Sequence, residues 1–213
     1  MSIHPTAIVE ETVDIGEGTS IWDNVHLRGP SSIGQDCIIG EKSYVACGVC
    51  IGDRVKINAF VYICNGVTIG DGVMVSAGVI FTNDRYPRAA TPDLTTLRGS
   101  DPDEHTQATR VAQGATIGAG AVIGCGIELG EFSMVGMGSV VTRAVQPFHL
   151  VAGNPARTIA LVCRCGNPFY HLKKKEKDLP DIRKAACDRC GLEYAVHRNV
   201  VQELTPPGRK VLP

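Results

Sequence analysis

The chain of 213 residues carries little aromatic mass: Phe, Tyr and Trp make up 5%, with a single Trp. Cores of ordinary width lean on such rings for buried area, so a narrow, repetitive interior is expected. An excess of one charge sign is also lacking. Lys and Arg total 21 against 22 Asp and Glu, a net charge of −1, which removes the electrostatic case for nucleic acid or an anionic membrane surface. No apolar run approaches the ~20 residues of a membrane span, and the opening Met1-Ser2-Ile3-His4-Pro5 has no secretory leader pattern. A cytoplasmic location is therefore expected. The nine cysteines are odd in number, and without a secretory signal they read as reduced thiols rather than disulfides.

What the chain does have is a period. From Ile3 to Val75 every sixth residue is aliphatic, Phe81 extends the run, and the same phase resumes at Val111 and holds to Val141. Six fits neither a helix face nor an ordinary sheet; it marks a hexapeptide-repeat parallel β-helix, an all-β fold. Two residues before each aliphatic stands a small or β-branched one (Ala7, Val13, Thr19, Val25, Ser31, Cys37), as alternate inward positions of a short strand require. Gly often follows the aliphatic directly (Gly16, Gly34, Gly40, Gly52, Gly70). Those glycines are expected to turn corners with backbone angles a side chain resists. Three units close one triangular coil, giving six or seven coils that rise ~4.8 Å each.

Residues 82–110 interrupt the beat, and prolines and charges fill the gap. A loop this long inside a compact fold is usually functional, so it is expected to be extruded from one corner. The repeat domain spans 1–160. Residues 161–213 differ in composition, with Cys163, Cys165, Cys187 and Cys190 in C-R-C-G and C-D-R-C-G and a K-K-K-E-K run at 173–177. The run reads as a solvated linker. The cysteines read as two knuckles of a small zinc ribbon, although the first is C-x-C, one residue short of the usual spacing. Four thiolates leave no open metal position, so the zinc would be structural.

Residues 18 apart become vertical neighbours. Cys47, Asn65 and Asn83 form one column, leaving the last at the loop root; His26, Tyr44 and Tyr62 form another. Of six histidines only His26 lies in the regular coil, about 15 Å below Asn83 at ~4.8 Å per coil. His105 lies in the loop. No set of three histidines converges as a γ-type carbonic anhydrase would need.

The stretch F-T-N-D-R-Y-P-R-A at 81–89 resembles the loop-opening motif of nucleotide-linked amino-sugar N-acetyltransferases. I-W-D-N-V-H-L at 21–27, N-G-V-T-I-G at 65–70, G-A-T-I-G-A-G-A-V-I-G at 114–124, V-V-T-R-A-V at 140–145 and G-N-P-A-R at 153–157 are similar to the same family. The resemblance covers roughly residues 1–160. It implies a left-handed β-helix, a homotrimer, and acetyl-CoA bound in a groove between coils. The branch it resembles acetylates the 3-amino group of a UDP- or dTDP-linked sugar, for surface polysaccharide or glycan synthesis. Carried over, Asn83 would orient the amine or thioester and Asp84 would assist with the amine's proton. Asn65, Tyr62, His26 and Arg85 would meet the sugar nucleotide. Gly118, Ala119, Gly136 and Met137 would line the pantetheine arm, and Arg157 would pair with a CoA phosphate. Amine acetylation needs no strong side-chain base. The competing reading is O-acetylation of a sugar or small alcohol, which demands one, with His26 or His105 in that role.

Overall fold

The computed structural model describes residues 1–99, 101–172 and 179–204; the K-K-K-E-K run lies outside them. Short strands alternate with turns, and no helix occurs among the described residues. None is therefore long and apolar enough to cross a membrane. The strands stack into three parallel faces of a prism. The first face runs from Ser2–Ile3 through Ile38–Ile39 and Met74–Val75 to Met134–Val135 and His149–Gly153. The second runs from Ile8–Val9 through Tyr62–Ile63 and Ile80–Phe81 to Val140–Val141, and the third from Val13–Ile15 to Glu128–Leu129. The first edge joins faces one and two, the second edge faces two and three, and the third edge faces three and one.

Register follows the period. Lys56 pairs with Ile38, Tyr62 with Tyr44 and Ser32 with Cys50, each eighteen residues apart. Each coil donates to the next, as in Gly40 N to Ile57 O at 2.8 Å and Tyr44 N to Val61 O at 2.9 Å. The aliphatic positions fill the interior: Leu27, Ile39, Val45, Ile57, Ile63 and Ile117 are all fully buried. Some inward hydroxyls are satisfied by the corners, whereas those of Ser31 and Ser133 are buried without a partner among the described residues. Thr19 Oγ1 donates to Gly34 O at 2.7 Å and accepts from Cys37 N at 3.0 Å. Ser43 does the same between Asn58 O and Val61 N. Such pairing lets a hydroxyl occupy an apolar core at little cost.

The glycines that follow the aliphatics are there for a different reason than expected. Gly16, Gly34, Gly40, Gly52 and Gly70 do not have positive φ. A Cβ at Gly40 would instead lie 2.6 Å from Asn58 C and 2.8 Å from Ala59 N of the next coil. Close approach of stacked backbones excludes the side chain. The left-handed residues lie two places later, as at Gly72 with φ 64°. There Asn and Asp are also used, with Asn24 at 53° and Asp36 at 54°.

The stack is taller than its periodicity suggests. The strand His149–Gly153 adds a parallel pass, pairing Val135 with Val151. Val145 continues the third face beside Leu129. The unit between Val141 and Val145 is two residues short, which throws the beat out of phase without breaking the coil. Strand Ala156–Val162 then turns back antiparallel on His149–Gly153, and Pro168–His171 follows it. Strands Ile182–Ala186, Glu193–His197 and Val200–Glu203 make a separate three-stranded sheet.

Aromatic rings join that sheet to the prism. Phe132 and Phe148 stand in the left-handed region at φ 52° and 63°, one above the other on the third edge, where the coils below use Gly72 and Gly114. A bulky residue there costs roughly 1–2 kcal/mol. Their rings stack at 5.6 Å, and Phe148 passes the contact to Tyr194, which stacks on Phe169 at 4.6 Å. Arg164 caps Phe132 at 4.2 Å and forks onto Glu203. Aromatic pairs contribute ~0.5–1.5 kcal/mol each beyond their burial, enough to offset the strained backbone.

Two substitutions separate close approach from backbone angle. Gly40→Ala is expected to destabilise the protein by about 2–3 kcal/mol through overpacking. Gly72→Asn should cost under about 1 kcal/mol, since Asn visits the left-handed region readily. Denaturant midpoints compare the two, and equal losses would refute the distinction.

Candidate active site

The loop leaves the second edge after Phe81 and returns at Thr109–Val111. Its root is a short antiparallel stub: Gln107 N donates to Asn83 O at 2.8 Å, and Asp84 bridges to Thr106. Below it the asparagines form a ladder. Asn83 Nδ2 donates to Asn65 O at 3.4 Å, and Asn65 Nδ2 donates to Cys47 O at 2.6 Å. Both side chains are half-buried, and neither Oδ1 has a partner among the described residues. The ladder thus fixes each amide through its nitrogen and leaves its oxygen open as an acceptor. Asp84 commits Oδ1 to Tyr86 N at 2.8 Å. Arg85 is exposed, its guanidinium 5.9 Å from the Tyr86 ring centre. Cys64, adjacent to Asn65, is buried and its thiol is pushed up to about 11 by that burial, which leaves it no thiolate chemistry at neutral pH.

Tyr62 lies one coil below the loop on the second face, half-exposed and stacked on Tyr44 at 5.2 Å. His26 continues the column edge-on to Tyr44. Two coils separate it from Tyr62, so it does not reach Asn83 within the chain. Its Nε2 lies 3.3 Å from Glu10 Oε1. The same carboxylate accepts from Gly29 N and Arg28 Nε, and its pKa is lowered, chiefly by the Gly29 N–H and then by Arg28 and His26. His105 is exposed beside the stub, directly before Thr106, with its backbone N–H on Asp103 Oδ1.

The five residues carried over for acetyl-CoA gather on the first edge. Gly118 and Gly136 stack beneath Ala152, which pairs with Arg157. Ala119 O accepts from Gly138 N at 2.8 Å, and Met137 projects at 83% exposure. The Ala119 and Met137 N–H groups have no acceptor among the described residues. At the third edge the equivalent N–H groups of Gln35 and Asp53 are satisfied by Asp53 Oδ1 and Asp71 Oδ1. Ala119 and Met137 have no such carboxylate beside them, and Gln113 and Glu131 on the third edge likewise leave their N–H groups open among the described residues. Arg157 is joined by Arg143, which sequence reasoning did not single out, around a cavity of about 130 Å³. Gln107 was missed as well, because the column rule reaches it only by counting back from Val111. The two halves sit on different edges, separated by the width of the second face. A larger cavity, about 540 Å³ on the third face, is lined by Thr68, Arg110 and Glu131 and by none of the candidate catalytic, sugar-binding or acetyl-CoA residues.

In the tail the four cysteine sulfurs all lie within 4.8 Å of one another. Cys163 and Cys190 are 3.3 Å apart, and Cys165 and Cys187 are 3.6 Å apart. A tetrahedral zinc with Zn–S of ~2.3 Å sets sulfurs about 3.8 Å apart, so the donor set fits such an ion despite its C-x-C knuckle. Tyr194, fully buried, donates to Cys163 Sγ at 3.1 Å. Burial raises the Cys163 pKa. At Cys187 burial acts the same way, but the N–H groups of Cys190 and Arg189 together with the Cys165 and Cys163 thiols outweigh it and bring the thiol down to about 7.

Comparison with known proteins reaches nearly the whole chain. The profile of the bacterial transferase hexapeptide (six repeats) matches residues 12–47 and 48–83, and that of the hexapeptide repeat of succinyl-transferase matches 109–143. The dTDP-3-amino-3,6-dideoxy-alpha-D-galactopyranose 3-N-acetyltransferase of Aneurinibacillus thermoaerophilus is 37% identical over 202 residues, covering 95% of this chain and 94% of that one. The chain belongs to the hexapeptide-repeat acyltransferases. The bifunctional protein GlmU of Heliobacterium modesticaldum is similar at 26% identity, over 67% of this chain and 34% of that protein. Among solved structures, AntD, an N-acyltransferase from Bacillus cereus in complex with dTDP and 3-hydroxybutyryl-CoA, is 20% identical with a TM-score of 0.48, covering 76% of this chain and 80% of that one. Within this hexapeptide-repeat acyltransferase, the F-T-N-D segment opens the only long loop among the described repeats.

Proposed function

We propose that this acyltransferase moves the acetyl group of acetyl-CoA to the amino group of a dTDP- or UDP-linked amino sugar, in the cytoplasm, for polysaccharide or glycan synthesis. The full-length relation to the dTDP-3-amino-sugar N-acetyltransferase carries the reading. The open Oδ1 of Asn83 supports it chemically.

In the proposed reaction the sugar amine donates one N–H to Asn83 Oδ1, which turns its lone pair toward the thioester carbon. Asp84, with one oxygen already engaged by Tyr86 N, offers the other to the amine's proton. Attack makes a C–N bond and an oxyanion; collapse breaks the C–S bond and releases CoA thiolate, which takes up a proton. Alignment of the two substrates supplies up to ~7–11 kcal/mol of the barrier reduction. A backbone N–H on the oxyanion adds typically ~3 kcal/mol. The unused Ala119 and Met137 N–H groups suit the pantetheine carbonyls or the thioester. Arg143 and Arg157 suit CoA phosphates. Asn65, Tyr62 and Arg85 face the sugar side, with His26 farther down the same face.

The loop root and the first edge lie on opposite sides of one face. A homotrimer, in which the loop of one subunit meets the first edge of the next, would join them. In the tail, Cys163, Cys165, Cys187 and Cys190 are proposed to hold a structural zinc ion that fixes the 161–213 module against the end of the prism.

Asn83→Ala should lower kcat/KM for a dTDP-amino sugar by about 10²–10³-fold, the scale of losing a group that positions the reacting atoms. His105→Ala should stay within about threefold, as expected where no side-chain base is required. The opposite pattern, with activity on a hydroxyl substrate, would establish O-acetylation. Metal analysis of purified protein should give one zinc per chain, lost in Cys187→Ser together with a lower melting temperature. Metal-free protein with the same melting temperature would remove the zinc proposal.

A further inference from the structure

The first edge has a second opening below the acetyl-CoA residues. A cavity of about 370 Å³ is lined by Trp22, Ile38, Glu41, Lys56 and Asn58, with Gly40 and Ala59 on its floor. Trp22 is the one Trp in the chain, yet it is 53% exposed and contributes nothing to the core. Neither the Lys56 ammonium, the Glu41 carboxylate nor the Asn58 amide has a side-chain partner among the described residues. A flat ring, a cation and an amide, all unengaged around one hollow, are the groups that recognise a base and its phosphates.

We propose that Trp22 is the stacking platform for the base of the nucleotide sugar, with Lys56 and Asn58 receiving its diphosphate; this rests on the N-acetyltransferase reading above. Spacing supports it. Trp22, Gly40, Asn58, Ser76 and Gly118 follow one another up the first edge in successive coils, as set by the pairings of Ile21 with Ile39, Ile57 with Ile39 and Val75, and Val75 with Ile117. At ~4.8 Å per coil, Asn58 is about 10 Å above Trp22, and Gly118 a further ~10 Å above Asn58. A nucleoside diphosphate spans the first interval, and its sugar continues part-way along the second, pointing the amine toward a thioester held at the upper end. Gly40 and Ala59 keep the route between them shallow enough for a ligand to lie against the backbone. The base thus stacks at the lower end of the edge, and acetyl-CoA approaches from the upper end.

A single Trp makes the test direct. Titration with dTDP alone should change the intrinsic fluorescence of the full-length protein, and acetyl-CoA alone should not. Trp22→Ala should raise KM for the dTDP-amino sugar roughly tenfold or more, the scale of losing one base–aromatic stack, and leave KM for acetyl-CoA within about twofold. Trp22→Phe should recover most of the loss, and Lys56→Ala should weaken dTDP more than it weakens thymidine. If wild-type protein acetylates the substrate but Trp22→Ala leaves its KM unchanged, the platform is refuted and the enzymatic reading stands. If wild-type protein acetylates no nucleotide-linked amino sugar, both fall together.

Discussion

Each coil of this protein is held by backbone hydrogen bonds to the coil eighteen residues on, and everything functional inherits that spacing. The bonds running from Gly40 N to Ile57 O and from Tyr44 N to Val61 O lock the register of every outward side chain as well as the core. Stacked backbones leave no room for a Cβ at positions such as Gly40. The interior is one aliphatic residue deep per face, which is why so few rings are needed. A slip by one residue would expose the whole aliphatic set, so the register is strongly specified.

The same constraint turns linear sequence into columns with chemical meaning. On the second edge it places Asn65 and Asn83 in a ladder that ends where the long loop departs. On the first edge it lines up small residues with unused N–H groups. Side chains in a column are brought close by the stack, whereas residues on different edges are held apart by the width of a face. That separation is the reason the proposed site draws on two edges. At the C-terminal end the prism changes character: Phe132 and Phe148 accept a strained backbone in exchange for ring contacts that run into the Tyr194 core beside the four cysteines.

Much of this was legible in the residues. The six-residue beat gives strand positions, inward faces and the Asn83 column directly, because period and register coincide. The glycines misled on cause: their role is clearance between coils, a tertiary constraint invisible from one strand. The final pass at His149–Gly153 was hidden by a four-residue unit before Val145. Gln107 and Arg143 were missed because one lies at the end of an insertion that breaks the count and the other lies at a turn where the beat fades. Trp22 is outward on a corner, and no periodic rule distinguishes a corner that binds from one that merely turns. The C-R-C-G and C-D-R-C-G pairs announced four converging sulfurs, while their aromatic link to the prism depends on packing that no spacing reveals.

The account centres on a cleft shared between the loop root of one subunit and the first edge of another. Mixed oligomers test that arrangement most directly. Asn83→Ala disables only the loop root, and Ala119→Trp blocks only the first edge. Dissociated and reassembled together, the two inactive proteins should regain roughly a quarter of wild-type activity, the statistical share of interfaces that combine an intact loop with an intact edge in a cyclic trimer. No recovery from oligomers shown to have exchanged subunits would contradict the shared cleft.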